Sequence, residues 1–261
     1  MIRIKNKKKY GQHFLNNEEV AVRIITLLSE KSNIIEIGPG KGVLTKYLLN
    51  EKIDNFIVNE IDNDCIFYLK EHFSNNLKII HEDVLNIDFS LLFKSKFSII
   101  SNLPYYISSQ ILFKILDNRL IISEFVILIQ KEVGERICSN YNNKSYGILS
   151  VLMQTYFNLN LEFIVDPISF NPKPKVYSAV VKGTRNKVID IGVDYNFYKK
   201  IIKQSFQNRR KTLRNSLKNL NLPLVFIKND IFSKRAEQLK ISEFIWLANE
   251  IKKINHEILP N

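Results

Sequence analysis

The residues best equipped for chemistry lie in one short run, Ser101-Asn102-Leu103-Pro104-Tyr105-Tyr106. An Asn side chain carries both a hydrogen-bond donor and an acceptor. Pro104 fixes its own φ and biases Leu103 toward extended geometry, which sets where the Leu103 carbonyl points. Tyr105 offers a flat aromatic face. Two acceptors, the Asn102 side-chain oxygen and the Leu103 carbonyl, beside an aromatic plate suit a planar amine such as the exocyclic amino group of adenine. Read alone, the run is also an ordinary strand-to-helix turn with an Asn and a Pro, and short motifs recur by chance. The apolar stretch Phe97-Ser98-Ile99-Ile100 precedes it, and Ile111, Leu112, Ile115 and Leu116 follow at helical spacing. The run therefore sits where a strand gives way to a helix. That is the strand end at which open α/β sheets bind ligands.

Three other predicted strand ends carry polar groups of the right kind. Asn33-Ile34-Ile35-Glu36-Ile37 reads as a buried strand and runs into Gly38-Pro39-Gly40-Lys41-Gly42. A helix with Val43, Leu44, Tyr47 and Leu48 follows. The dinucleotide fingerprint is G-x-G-x-x-G, and here Val43 occupies its third glycine position. Glycines at alternate positions let backbone amides approach a ligand that has no pyrophosphate, such as S-adenosylmethionine. A tight turn needing φ > 0 is the competing reason for any one of them. Phe56-Ile57-Val58 is a second strand ending in Asn59-Glu60-Ile61-Asp62, and Glu60 lies at the distance from the loop where an acid accepts from ribose hydroxyls. Asp62 reads as a helix N-cap. Leu77-Lys78-Ile79-Ile80 is a third, ending in His81-Glu82-Asp83-Val84, where Asp83 is placed to accept from an adenine amine; read singly, Asp83 and Glu60 are each as readily solvated acids.

Elsewhere the spacing predicts a helix over Glu18–Leu28 and a fifth strand over Phe125–Ile129. A short helix to Cys138, a polar loop over Ser139–Lys144 and a helix over Tyr146–Phe157 come next. Leu161–Val165 and Val176–Val181 read as the last strands. Between them Phe170-Asn171-Pro172-Lys173-Pro174-Lys175 is a stiff loop in which Phe170 is either a core anchor or a second face for base stacking. Past Lys182–Asp194 no further strand-and-glycine pattern occurs. Tyr195–Phe206, Asn208–Leu220 and Ser233–Ile251 all read as helical, with Pro223 between the last two. The expected architecture is α/β: a Rossmann-like domain over residues 1–187 and a small all-α domain over 188–261. Arg209, Arg210, Lys211 and Arg214 fall close together on the expected second helix, either as a solvated face or as phosphate contacts. No internal repeat is present.

The net charge of +12 implies a polyanionic partner or an anionic membrane surface, discounted for a composition rich in Lys, Ile and Asn. Lys5, Lys7, Lys8 and Lys9 precede Tyr10-Gly11-Gln12-His13-Phe14-Leu15. Such a run is usually a solvated tail, with an ordered binding arm as the alternative. Cys65 and Cys138 make no CxxC, and His13, His72, His81 and His256 lack ligand spacing, so neither a metal site nor a disulfide framework is expected. The longest apolar runs are too short to span a bilayer and no signal-type segment follows the basic start, which points to the cytoplasm.

Taken together, these motifs make the chain similar to the ribosomal RNA adenine dimethyltransferases, in particular those of the bacterial small subunit. The stretches that carry the resemblance are Tyr10–Leu15, Glu36–Gly42, Asn59–Asp62, Glu82–Val84, Asn102–Tyr105, Gln130–Val133, Tyr146–Ser150, Pro172–Val181 and Phe206–Leu217. They span nearly the whole chain in the family's order. The resemblance implies a class I S-adenosylmethionine-dependent methyltransferase with a helical C-terminal domain, using no metal and acting as a monomer on 16S rRNA in the immature 30S subunit. It implies that His13, Leu15, Gly38, Glu60, Asp83 and Asn102 bind the cofactor. Asn102, Leu103 and Tyr105 would handle the target adenine, and Phe170, Lys173, Arg209, Arg210, Lys211 and Arg214 would face RNA. His13 stands where many bacterial relatives have Asn, and Tyr106 where Asn is frequent. A large-subunit (23S) enzyme of the macrolide-resistance type and an RNA-binding assembly factor are the alternatives.

Overall fold

A computed structural model of the chain describes residue 7 and residues 11–73 and 77–258. Lys5, Lys8, Lys9 and Tyr10 of the basic N-terminal run lie outside these residues. The described residues divide into two compact units. One takes those within Met1–Glu135 and Phe157–Asn186, the other those within Arg136–Tyr156 and Lys187–Asn261.

In chain order the first unit holds β1 (Phe14–Leu15), α1 (Glu18–Thr26), β2 (Asn33–Ile37), α2 (Val43–Leu48), β3 (Asn55–Glu60), α3 (Asn63–His72), β4 (Lys78–His81), β5 (Phe97–Asn102), α4 (Ser108–Asp117) and β6 (Ile122–Gln130). After α5 (Lys131–Ile137) and α6 (Ile148–Tyr156) the chain returns as β7 (Phe157–Val165), β8 (Phe170–Asn171) and β9 (Ser178–Arg185). Seven strands form one sheet in the order β4-β3-β2-β5-β6-β9-β7. The first five run parallel, and β9 is antiparallel to both β6 and β7. β1 and β8 form a separate antiparallel pair.

The central strands are apolar on both faces because helices cover both. Every residue of β2 is buried, and Ile35 sits in register with Ile57 on one side and Ile99 on the other. One face packs Ile34, Ile100, Val126 and Val180 against Ala21, Ile24 and Ile25 of α1. Strand order reverses at β2: β3 lies on one side and β5 on the other, so loops leaving the two strands splay apart and open a crevice above their carboxyl ends. Ser101 braces that point by donating its hydroxyl to the Ile37 carbonyl at 2.5 Å. At the opposite side, Glu124 of β6 accepts the Ser29 and Glu30 amides (2.6 and 2.7 Å) and faces Lys182 at 3.4 Å. The chain leaving α1 is thereby tied to the sheet.

The second unit adds α7 (Tyr195–Ser205), α8 (Leu213–Ser216), α9 (Leu224–Ile227) and α10 (Ile241–Ile258) to α6. Its all-α character agrees with the sequence, but its extent differs from a boundary at 187/188. The segment Arg136–Tyr156 belongs with it, because the apolar face of α6 packs on α7 and α10, and Thr155 Oγ1 meets the Tyr198 hydroxyl at 3.0 Å. Two helical expectations are corrected. Of Asn208–Leu220, only Leu213–Ser216 is α-helical, with a 3-10 turn over Lys218–Leu220. Residues 207–211 are polar and have no apolar periodicity to hold them on a core, and Thr212 is extended (ψ 162°). The helix expected from Ser233 starts at Ile241, because Lys234, Arg235 and Leu239 are extended around a 3-10 turn. Among the described residues no helix is long and apolar enough to cross a membrane.

Gly183 of β9 lies opposite Phe125 of β6, and a Cβ there would come within 2.1 Å of the Phe125 ring. Gly183→Ala is expected to cost about 1–3 kcal/mol by overpacking. Urea unfolding followed by circular dichroism will measure it, and an unchanged midpoint would contradict this packing.

Candidate active site

The crevice at the switch point holds a cavity of about 280 Å³, lined from the carboxyl ends of β2, β3, β4 and β5 and from the N-terminal residues Gly11–Leu15. His13, Leu15, Gly38, Glu60, Asp83, Asn102, Leu103 and Tyr105 all line it. Parallel strands force this convergence: residues far apart in sequence leave the sheet at the same edge.

The glycine loop forms its floor. Gly38, Gly40 and Gly42 all hold positive φ (+64°, +57° and +73°), so the turn alone requires glycine. Gly38 has a second reason. A Cβ there would meet only Pro104 Cδ at 4.0 Å, leaving open the space in front of the backbone. At Gly40 a Cβ would strike the Phe14 ring at 2.7 Å, which fixes how closely the N-terminal segment lies on the loop.

Four acids crowd the edge, each held differently. Glu60 receives the Gly40 amide on Oε2 (3.1 Å) and the Ile61 and Asp62 amides on Oε1 (2.8 and 2.9 Å). Burial raises its pKa, and these three donors pull it only partly back. Asp62 is equally buried and caps α3, yet its carboxyl is held below the ordinary range. Burial pushes it up, but Lys7 Nζ at 2.5 Å and Gln12 Nε2 at 2.8 Å outweigh that. Lys7 also pairs with Asp64 at 2.7 Å, and its backbone amide donates to Gln12 Oε1 at 2.8 Å. This clamp ties Lys7 and Gln12 to the start of α3. Glu36, 1% exposed, accepts the Thr45 hydroxyl at 2.6 Å, and burial lifts its pKa to about 8. Asp83 uses Oδ1 to accept the Leu85 amide at 2.9 Å, and Lys114 Nζ holds the Leu85 carbonyl at 3.0 Å.

At the mouth, Asn102 Nδ2 donates to the His13 carbonyl at 3.0 Å. With the nitrogen committed, the side-chain oxygen is the group left to accept. The Leu103 amide continues the sheet ladder to the Leu128 carbonyl (2.9 Å), which fixes the Leu103 peptide. Tyr105 stacks on His13 (centroids 5.4 Å apart, 26° between planes), and its hydroxyl meets Ser178 Oγ at 2.6 Å. His13 Nδ1 lies 2.7 Å from the Pro172 carbonyl, so Nδ1 carries the hydrogen and the neutral ring has only Nε2 as an acceptor.

Not every expected residue converges here. Phe170 is 3% exposed, packs in the core with Leu15 and Ile24, and does not line the cavity. Of the two readings the sequence leaves open, the core anchor is the one observed, because pairing of β8 with β1 turns Phe170 inward. Lys173 is exposed in the loop beyond. In the second unit Arg209, Arg210, Lys211 and Arg214 are exposed, on a turn and a short helix rather than on one long helix. Arg209 bonds the Lys144 and Tyr146 carbonyls and faces Glu237 at 3.6 Å, so it is tied into its own unit. Gln12, Lys7, Lys114 and Ser178 escape a sequence reading, since each acts through a partner remote in the chain. Asp62 was legible only as a helix cap.

A glycine floor open at Gly38, the carboxyl of Glu60 and a further acid at Asp83 fit the amino-acid, ribose and adenine parts of S-adenosylmethionine. Fold and site together define a Rossmann-like class I methyltransferase that uses this cofactor. The particular family follows from comparison: the model for "Ribosomal RNA adenine dimethylase" matches residues 3–253, and the chain belongs to that family. It is 44% identical over 254 residues to "Ribosomal RNA small subunit methyltransferase A" of Cytophaga hutchinsonii, covering 95% of this chain and 98% of that one. It is 44% identical over 256 residues to the protein of the same name from Flavobacterium johnsoniae, covering 97% and 98%. A crystal structure of a dimethyladenosine transferase from Plasmodium falciparum superposes with a TM-score of 0.81 at 26% identity, covering 93% and 98%.

Glu36 yields a signed prediction. A carboxyl whose folded pKa lies near 8 keeps its proton while the unfolded chain releases it above the ordinary value near 4.5. Stability from this group is therefore lost as pH rises from about 5 to about 8. Glu36→Gln should flatten that loss, so that the variant's melting temperature gains on the wild type's across this window. A constant difference between the two curves would show that Glu36 is ionised in the fold.

Proposed function

We propose that the protein transfers methyl groups from S-adenosylmethionine to the exocyclic amines of two adjacent adenosines near the 3′ end of 16S rRNA, within the immature small subunit in the cytoplasm. The observation that carries this reading is the Asn102–His13 bond. An adenine amino nitrogen is a poor nucleophile because its lone pair is delocalised into the ring. Accepting its hydrogens out of the ring plane localises the lone pair. The Asn102 oxygen, oriented by its committed nitrogen, and the Leu103 carbonyl, oriented by the sheet ladder, are the acceptors. Tyr105 is the plate against the base. With His13 on one side of its ring, it offers at most one face, and stacking of that kind is worth about 1–3 kcal/mol per base. This offsets part of the few kcal/mol needed to unstack the target nucleotide.

Glu60 holds the ribose hydroxyls, Asp83 the adenine amine and Gly38 the amino-acid part of the cofactor, with His13 and Leu15 closing over it. When bound, the cofactor supplies a methyl group already activated by its sulfonium. The protein's task is alignment of the amine. Each transfer forms an N–CH3 bond and sheds one amine proton to solvent, so after the first the amine keeps a single hydrogen and only one acceptor remains engaged for the second. The names of the relatives at 44% identity support the small subunit as the substrate.

Dimethylation blocks the base-pairing edge of adenine. Primer extension on small-subunit rRNA should therefore stop near the 3′ end only in cells that carry the gene. A stop in large-subunit RNA instead would move the substrate. Asn102→Ala should reduce methyl transfer at least 100-fold while calorimetry finds cofactor binding largely kept. Near-normal turnover would remove Asn102 from the reaction. The two neighbouring arginines should separate. Arg210→Ala weakens RNA binding and its salt dependence, whereas Arg209→Ala lowers the melting temperature first. The reverse assignment would mean that the Arg209 contacts within its own unit are dispensable.

A further inference from the structure

One face of the second unit has chemistry that the methyl-transfer site does not use. Asn196, Lys199, Lys200, Lys203 and Gln204 of α7, with Gln207 just beyond it, line a shallow open depression of about 440 Å³. Residues 196, 200, 203 and 207 step by three or four, which places them along one stripe of the helix. The opposite face is the buried one, with Tyr195, Tyr198, Ile201, Ile202 and Ser205. The lining therefore consists of three ammonium groups and three amides, with no carboxylate and no apolar side chain. The Lys199 ammonium lies 5.3 Å over the Tyr195 ring, which steadies its stem. Past Gln207 the same chemistry continues into the exposed turn that bears Arg210 and Lys211.

We propose that this face of α7 is a track for the phosphate backbone of RNA, extending the contact made by the Arg210–Lys211 turn. The inference rests on the reading of the protein as an rRNA methyltransferase and names a further part of its RNA footprint. Lysines and amide side chains are the groups that contact phosphate and sugar oxygens, and such contacts set register rather than sequence. No aromatic ring lines the depression, so bases are not read here. A membrane surface is the poorer match, because interfacial helices need an apolar face beside the basic one and the apolar face of α7 is buried.

The test uses the full-length protein and a fragment of the 3′ end of 16S rRNA, with binding followed by fluorescence anisotropy between about 50 and 200 mM salt. Replacing Lys199, Lys200 and Lys203 together by Gln should lower the slope of log affinity against log salt by about 2 to 3. The triple replacement by Arg should restore it. S-adenosylhomocysteine binding and melting temperature should stay as in the wild type. A Gln variant that keeps the wild-type slope overturns the inference alone. So does a variant whose lost binding is to phosphatidylserine vesicles or to poly-glutamate while RNA binding is unchanged. A wild-type protein with no salt-dependent RNA binding overturns both the inference and the reading beneath it.

Discussion

The hydrogen bond from Asn102 Nδ2 to the His13 carbonyl, 3.0 Å long, is the constraint on which the mouth of the cavity depends. It joins the end of the fourth parallel strand in the chain to a segment almost ninety residues earlier. It also decides which end of the Asn102 amide remains to accept. Its geometry is guarded from both sides. Ser101 locks β5 to β2, the Leu103 amide stays on the ladder to Leu128, and His13 is held by the Pro172 carbonyl and by the Tyr105 ring. A lone Asn on a loop would rotate freely between donor and acceptor roles. This one is anchored in rigid elements, as a site that must distinguish lone pair from hydrogen requires.

The carboxylates behind it show how burial and partners set separate roles for like groups. Glu36, Glu60 and Asp62 are all nearly excluded from water. Glu36 has one hydroxyl partner and is driven toward its neutral form. Glu60 is also raised by burial, against the pull of three backbone amides. Asp62, with a lysine and an amide, stays firmly ionised. The ionised member is the one that ties down the N-terminal segment, which makes charge at that position a structural requirement. Neutral Glu36 beside ionisable Glu60 avoids two buried like charges in one small space.

The helical unit follows another logic. Its core is built from Tyr146, Tyr156, Tyr198, Phe206 and Phe244, drawn from α6, α7, α10 and the segments beside them. Large rings let few helices bury a full core, and they leave the outer face of α7 free for lysines. The insertion that carries α6 shows that the unit is assembled from two separate stretches of chain. Periodicity along one stretch does not reveal such an assembly.

The sequence by itself determined the class of fold and the edge at which chemistry occurs. Buried strands followed by a glycine loop, by Glu60, by Asp83 and by Asn102 can meet only at the carboxyl ends of a parallel sheet. The sequence also biased Leu103 toward extended geometry before Pro104, because that restriction is local. Tertiary structure alone decided what contacts remote in the chain control. Phe170 turns into the core because β8 pairs with β1. Arg209 bonds carbonyls of its own unit. His13, not Phe170, stacks on Tyr105. Lys7 and Gln12 reach Asp62, and Lys114 steadies the loop of Asp83. In each case the deciding partner lies dozens of residues away, where neither spacing nor composition can register it.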